Sequence, residues 1–146
     1  MKKLIYVIPK ENHSEKEIKE ILLAHSEVKF VSLVGIDLSG NDTDERIPMK
    51  IFLDDINGFA SGAIQTDGSS VVLPGIATLN NAKLDMLADL DCNWYVDYNY
   101  ENIDPETELP IGTLKIPCVL LHDNISVDLR SILKRSVECF KTTLLN

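Results

Sequence analysis

Val28-Lys-Phe-Val-Ser-Leu-Val-Gly-Ile-Asp-Leu38, followed by Ser39-Gly-Asn-Asp-Thr43 and Arg46-Ile-Pro-Met-Lys-Ile-Phe-Leu53, carries the strand and turn signals that set the fold class. Val28, Phe30, Ser32, Val34, Ile36 and Leu38 alternate along one side, which predicts a strand. Ser39 to Thr43 carries turn chemistry. Ile47, Met49 and Ile51 share the next face, so residues 46–53 are expected to form a second strand, which Pro48 assigns to an edge or a bulge. Two strands joined by a short turn pair antiparallel.

Working outward, Ser14-x-x-Glu17 is a capping box, and Ile18, Ile21, Leu22 and Ala24 follow at helical spacing, which predicts a helix over residues 14–25. Met1 to Pro9 reads as a short strand. Its two lysines and apolar run look like the front of a signal peptide, but charge arrives at Lys10 and no small-x-small site follows, so a cytoplasmic protein is expected. Downstream, Asp54-Asp55 caps a short helix that ends near Gly58 or Gly62. Residues 62–81 read as a loop or hairpin around Thr66-Asp-Gly-Ser-Ser70, with Val71-Val-Leu73 as a short strand. Trp94 to Tyr100 is a β-prone aromatic run. Glu101 to Pro110 is an acidic turn, and Gly112 to His122 is a central strand interrupted at Pro117. Asp128 caps a final helix with apolar positions Leu129, Ile132, Leu133, Val137, Phe140 and Leu144. Antiparallel pairs with few helices indicate an α+β fold, not a doubly wound parallel sheet.

With 146 residues, 45% of them apolar, the chain is long enough for one domain with a core. Its 14 bases and 23 acids leave a net charge of −9. Residues 37–108 hold fifteen acids against Arg46, Lys50 and Lys83. So acidic a middle repels phosphate backbones and anionic bilayers, which excludes nucleic-acid and membrane-surface partners. It keeps a protein soluble, and it can also draw a cation or a basic partner. Cys92, Cys118 and Cys139 are an odd, widely spaced set that reads as small buried hydrophobes, not as disulfides or a zinc motif. His13, His25 and His122 are equally scattered, and no metal site is expected.

Asp67-Gly68-Ser69-Ser70 is the sharpest local chemistry. Gly68 permits a left-handed turn, and one carboxylate with two hydroxyls can hold a small cation. The same residues also suit an ordinary hairpin turn. Asp85, Asp89 and Asp91 lack the spacing of a calcium loop and read as a solvated face. Trp94, Tyr95, Tyr98 and Tyr100 are interleaved with Asp97, Glu101 and Asp104, which favours packing or a subunit contact over base stacking. The chain has no phosphate-cradling or dinucleotide glycine motif and no nucleophile elbow.

Three blocks in this order carry a resemblance. They are the strand–turn–strand from Phe30 through Gly40 to Ile51; Asp67-Gly-Ser-Ser70 followed by Asp85-Met86 and Asp89; and Asp128-Leu-Arg-Ser-Ile-Leu-Lys-Arg135. Together, from about Val28 to Phe140, they resemble the N-terminal β-grasp domain of glutamine synthetase. Pro74 stands where that family usually has a flap tryptophan, and Ala88 and Leu129 replace its prolines, so the branch is divergent. The resemblance implies an α+β β-grasp domain over 28–146, preceded by a strand-and-helix extension over 1–27. A catalytic domain is expected downstream of residue 146. It implies a ligase that condenses ammonia with glutamate using ATP and Mg or Mn, all bound on that catalytic domain, with no cofactor on this chain. It further implies a homo-oligomeric ring in which this domain meets its own catalytic domain and neighbouring subunits. Asp67 would hold ammonium and take its proton at a neighbour's site, with Ser69 and Ser70 supporting the loop. Arg130 and Arg135 stay helix and interface residues. The chain alone is expected to be inactive. The alternative is a free-standing β-grasp interaction module that uses its acidic face.

Overall fold

The computed structural model describes residues 3–67 and 83–144. β1 (Val7–Ile8) and a 3₁₀ turn at Lys10–Asn12 precede α1 (Glu15–Ala24), and β2 (Val28–Ile36) and β3 (Asp42–Pro48) follow. Next come α2 (Met49–Asp54), α3 (Ile56–Ala60) and β4 (Ile64–Asp67). β5 (Lys83–Ala88), β6 (Trp94–Ile103), β7 (Pro110–His122), β8 (Ile125–Ser126) and α4 (Leu129–Leu144) complete the order. Among the described residues the strands run β1-β6-β7-β2-β3, with β5 and β8 pairing the far half of β7 and β4 pairing β5. β2 and β7 are parallel and the other pairs are antiparallel. This is the expected α+β, β-grasp arrangement: a mixed, mostly antiparallel sheet with few helices.

Local signals set the caps as read. Glu17 N–H donates to Ser14 Oγ at 3.3 Å, starting α1. Asp55 accepts from Gly58 N at 2.9 Å at the start of α3. The β2–β3 turn is built by Asp37, whose carboxylate accepts from Ser39 N and Asn41 N at 2.8 and 2.9 Å while Gly40 takes φ +80°. That glycine supplies the left-handed residue the turn needs.

Two faces differ from the alternation. In β2 the side that reads as apolar is not the core side. Val28 is buried, but the pairing with β7 then shifts register between Val28 and Phe30, with Lys29 as the extra residue. A bulge of this kind flips every following side chain. Val31 and Leu33 therefore enter the core, while Phe30, Val34 and Ile36 are only half-buried. Lys29 itself reaches Asp104 at 3.1 Å.

The strand expected over 46–53 ends at Pro48, and residues 49–54 are helical. Proline at the helix N-cap cannot extend the ladder, and Met49 and Phe52 of α2, with Ile56 at the start of α3, are buried in the core. β3 is an edge strand, as Pro48 required. Pro117 does not interrupt β7. It pairs with Val34 at the last β2 position, beyond which β7 takes β5 from Cys118 onward. The missing N–H falls where the strand changes partners.

One core joins the sheet and the helices. Ile8, Ile18, Leu22, Phe52, Trp94 and Leu114 belong to a single buried cluster that includes the N-terminal strand and helix. Gly35 is a packing requirement, because a Cβ there would lie 2.5 Å from Leu120 Cδ2. No helix among the described residues is long and apolar enough to cross a membrane.

The helical reading of 49–54 is testable. Phe52→Ala is expected to cost about 3–5 kcal/mol of stability. Ile51→Ala, at a side chain 51% exposed, is expected to stay within about 0.5 kcal/mol. Urea unfolding of both variants checks the order, which a strand would reverse.

Candidate functional site

Asp67 is the last residue of β4 and is exposed to solvent, across the ladder from Lys83. The strand that delivers it is tied on both sides. Thr66 is buried, and its hydroxyl hydrogen-bonds the Thr43 hydroxyl of β3 at 3.1 Å. Gln65 Nε2 donates to Asp85 Oδ1 of β5 at 2.6 Å. The strand thus delivers Asp67 to the protein surface, where solvent and a neighbouring molecule can reach it. Gly68, Ser69, Ser70 and the short strand expected at Val71–Leu73 lie outside the described residues.

The acidic group Asp85, Asp89 and Asp91 is not one solvated face. β5 alternates Leu84, Met86 and Ala88 inward, so Asp85 turns toward Gln65. Asp89 lies just past the strand and pairs with Arg130 Nη2 at 2.5 Å, and its second oxygen accepts from Asp91 N at 3.0 Å. The Asp89 carbonyl accepts from Trp94 Nε1 at 3.1 Å and from the Cys92 thiol at 3.5 Å. Burial works against the Arg130 charge, but the Asp89 carboxylate and the Cys92 sulfur outweigh it, and the guanidinium pKa rises. Arg130 is thus a structural cation that joins α4 to the β5–β6 turn.

Asp128 completes this joint. It is fully buried, caps α4 through Ser131 N at 2.9 Å and Ser131 Oγ at 2.7 Å, and also accepts from Leu120 N at 3.3 Å. Arg135 donates to the Ser126 hydroxyl and carbonyl of β8. The second and third blocks of the sequence resemblance therefore meet in space, at Asp89 and Arg130. β5 carries Asp67's partner Lys83 at one end and leads into Asp89 at the other. At about 3.3 Å per residue these ends are about 20 Å apart, so the Arg130 joint is separate from Asp67.

Two of the three thiols, Cys92 and Cys118, are not built for chemistry. Burial, with Asp89 adding to it, raises the Cys92 pKa, and burial pushes Cys118 up to about 12. Both stay protonated at neutral pH, and a thiol is a poor nucleophile. Of the three cysteines expected to be buried, only Cys118 is; Cys92 is half-buried and Cys139 is exposed on α4. Burial also raises the Tyr98 pKa, and its hydroxyl donates to the Ile5 carbonyl at 2.9 Å. Tyr6, Tyr98 and Tyr100 pack against one another. Among the described residues no three His, Cys, Asp or Glu side chains converge as a metal site.

No family model matches the chain. No curated protein matches it either. The structure is similar to a cryo-EM structure of Plasmodium falciparum glutamine synthetase, with a TM-score of 0.62 and 18% identity. The likeness covers 89% of this chain and 23% of that one, so this chain spans less than a quarter of that protein's length. The shared fold is that of the family the three sequence blocks resemble.

The joint between α4 and the sheet predicts a coupling. Arg130→Met leaves a largely buried carboxylate without its cation and is expected to cost about 1–3 kcal/mol. Asp89→Asn in the same background should recover part of that loss. A double-mutant cycle by urea unfolding measures the coupling, and a value near zero would reduce the pair to a surface contact.

Proposed function

We propose that this chain is the N-terminal β-grasp domain of a glutamine synthetase-like ligase, contributing the ammonium-site loop to a neighbouring subunit. The observation that carries the reading is the fold likeness to glutamine synthetase over 89% of the chain. The order of the sequence blocks supports it, with Asp67 at an exposed strand end and Asp89 joined to Arg130.

In this reading the parent protein phosphorylates the γ-carboxylate of glutamate with ATP, using Mg or Mn on a catalytic domain beyond this chain. Asp67 attracts ammonium by charge, accepts one of its protons and so frees ammonia as the nucleophile. Ser69 and Ser70 support the loop. The cation needs a second wall to be partly desolvated, and a neighbouring subunit supplies it. The chain alone holds Asp67 without that wall and is inactive. The setting is cytoplasmic, where ATP and glutamate are available.

α4 suits the connection to further protein. Its first turn is locked by Asp128 and Arg130, but Leu133, Val137, Phe140 and Leu144 are exposed, Phe140 by 65%. Beneath it a cleft of about 850 Å³ runs along Leu87, Val119, Leu133 and Val137. An apolar stripe of this length is stabilised when another surface covers it, and in this reading that surface is the catalytic domain.

The test is Asp67→Asn in the full-length parent. Asn can keep the turn but cannot accept the proton. With ATP and glutamate saturating, kcat/KM for ammonium is expected to fall about 100- to 1,000-fold, in line with the loss of one preorganised electrostatic group. The melting temperature should stay near that of the parent. Unchanged use of ammonium would make Asp67 a turn residue and favour the interaction-module reading.

A further inference from the structure

The groove between α1 and α2 is used by nothing described above. Its floor includes Leu22 and Met49, at 2% and 9% exposure, while Leu23 stands at its lip, 63% exposed. The space measures about 520 Å³, within the range of small-molecule sites. Three lysines, Lys19, Lys29 and Lys50, rim it against one acid, Asp54. In a chain whose 23 acids outnumber its 14 bases, this reverses the prevailing sign. Lys29 is held by Asp104 at 3.1 Å. Lys19 and Lys50 make no ion pair among the described residues.

We infer that this groove binds a medium-chain alkyl carboxylate, tail on the floor and head between Lys19 and Lys50. An apolar floor selects the tail, and the unpaired cations select an anionic head. A bilayer surface is not the occupant, because the acidic middle of the chain repels an anionic one. Nor does α4 of a second copy fit. It is apolar on one side, but it carries four bases to one acid and would bring like charge to the lysines. The inference stands independently of the ligase reading, since it concerns a different face.

Decanoate, below its micelle concentration, is the probe. Titrated into the 146-residue chain by amide-resolved NMR, it is expected to bind one-to-one and saturably, with shifts confined to residues 19–29 and 48–54. Octanoate should bind about tenfold more weakly, since each buried methylene is worth about three- to fourfold. The Lys19→Glu, Lys50→Glu double variant should weaken decanoate at least tenfold. Leu23→Asp, at an exposed site that leaves the core intact, should do the same. Equal affinity for decyltrimethylammonium would overturn the proposal. So would indifference to the lysine reversal, or equal capture by phosphatidylglycerol vesicles.

Discussion

Every layer of this structure depends on the backbone of β7. Its thirteen residues hydrogen-bond β6 and β2 over the first half and β5 and β8 over the second. A buried strand must pair its N–H and C=O groups on both edges, because each orphan group costs free energy comparable to a lost hydrogen bond. That demand brings β2, β5 and β6 together from distant parts of the chain. It also explains the run Leu114, Ile116, Cys118, Leu120, all fully or nearly fully buried. Pro117 is tolerated because it sits at the changeover between partner sets.

The consequences reach the candidate site through β5. Pairing to β7 fixes β5, pairing to β5 fixes β4, and β4 ends in Asp67. The carboxylate is therefore positioned by two ladders while itself remaining in water. At the other end of β5 the chain turns at Asp89, and Arg130 holds the root of α4 there. A single strand thus spaces a candidate site from a candidate interface by about 20 Å.

The charge layout follows the same division. The acids of residues 37–108 spread over the strand edges and turns, where several accept backbone or side-chain hydrogen bonds, as Asp37, Asp85 and Asp104 do. Of the fourteen bases, four stand on α4 and three line the α1–α2 groove. One small domain therefore carries an exposed carboxylate at the end of β4 and a groove lined by three lysines on another face.

Features within one turn or one strand were legible in the sequence. The Ser14 and Asp128 caps, the turn after β2 (read at residues 39–43, built at 37–41), the aromatic strand from Trp94 and the α+β class all rest on contacts between near neighbours. Asp67 was singled out by residue type and by resemblance, and its placement on an anchored strand end adds the geometry. β5 carried a readable alternation at Leu84, Met86 and Ala88, which the adjacent acids obscured. The core face of β2 was not legible, because the Lys29 bulge exists only opposite β7. The helix at 49–54 was hidden because Ile47, Met49 and Ile51 fit a strand as well as Met49 and Phe52, three residues apart, fit a helix. Only the end of the ladder at Pro48 decides between them. The Asp89–Arg130 pair spans forty-one residues of sequence, and neither residue signals the other. Local propensity and capping are written in short windows; which face is buried and which charges meet depend on partners that only the closed sheet supplies.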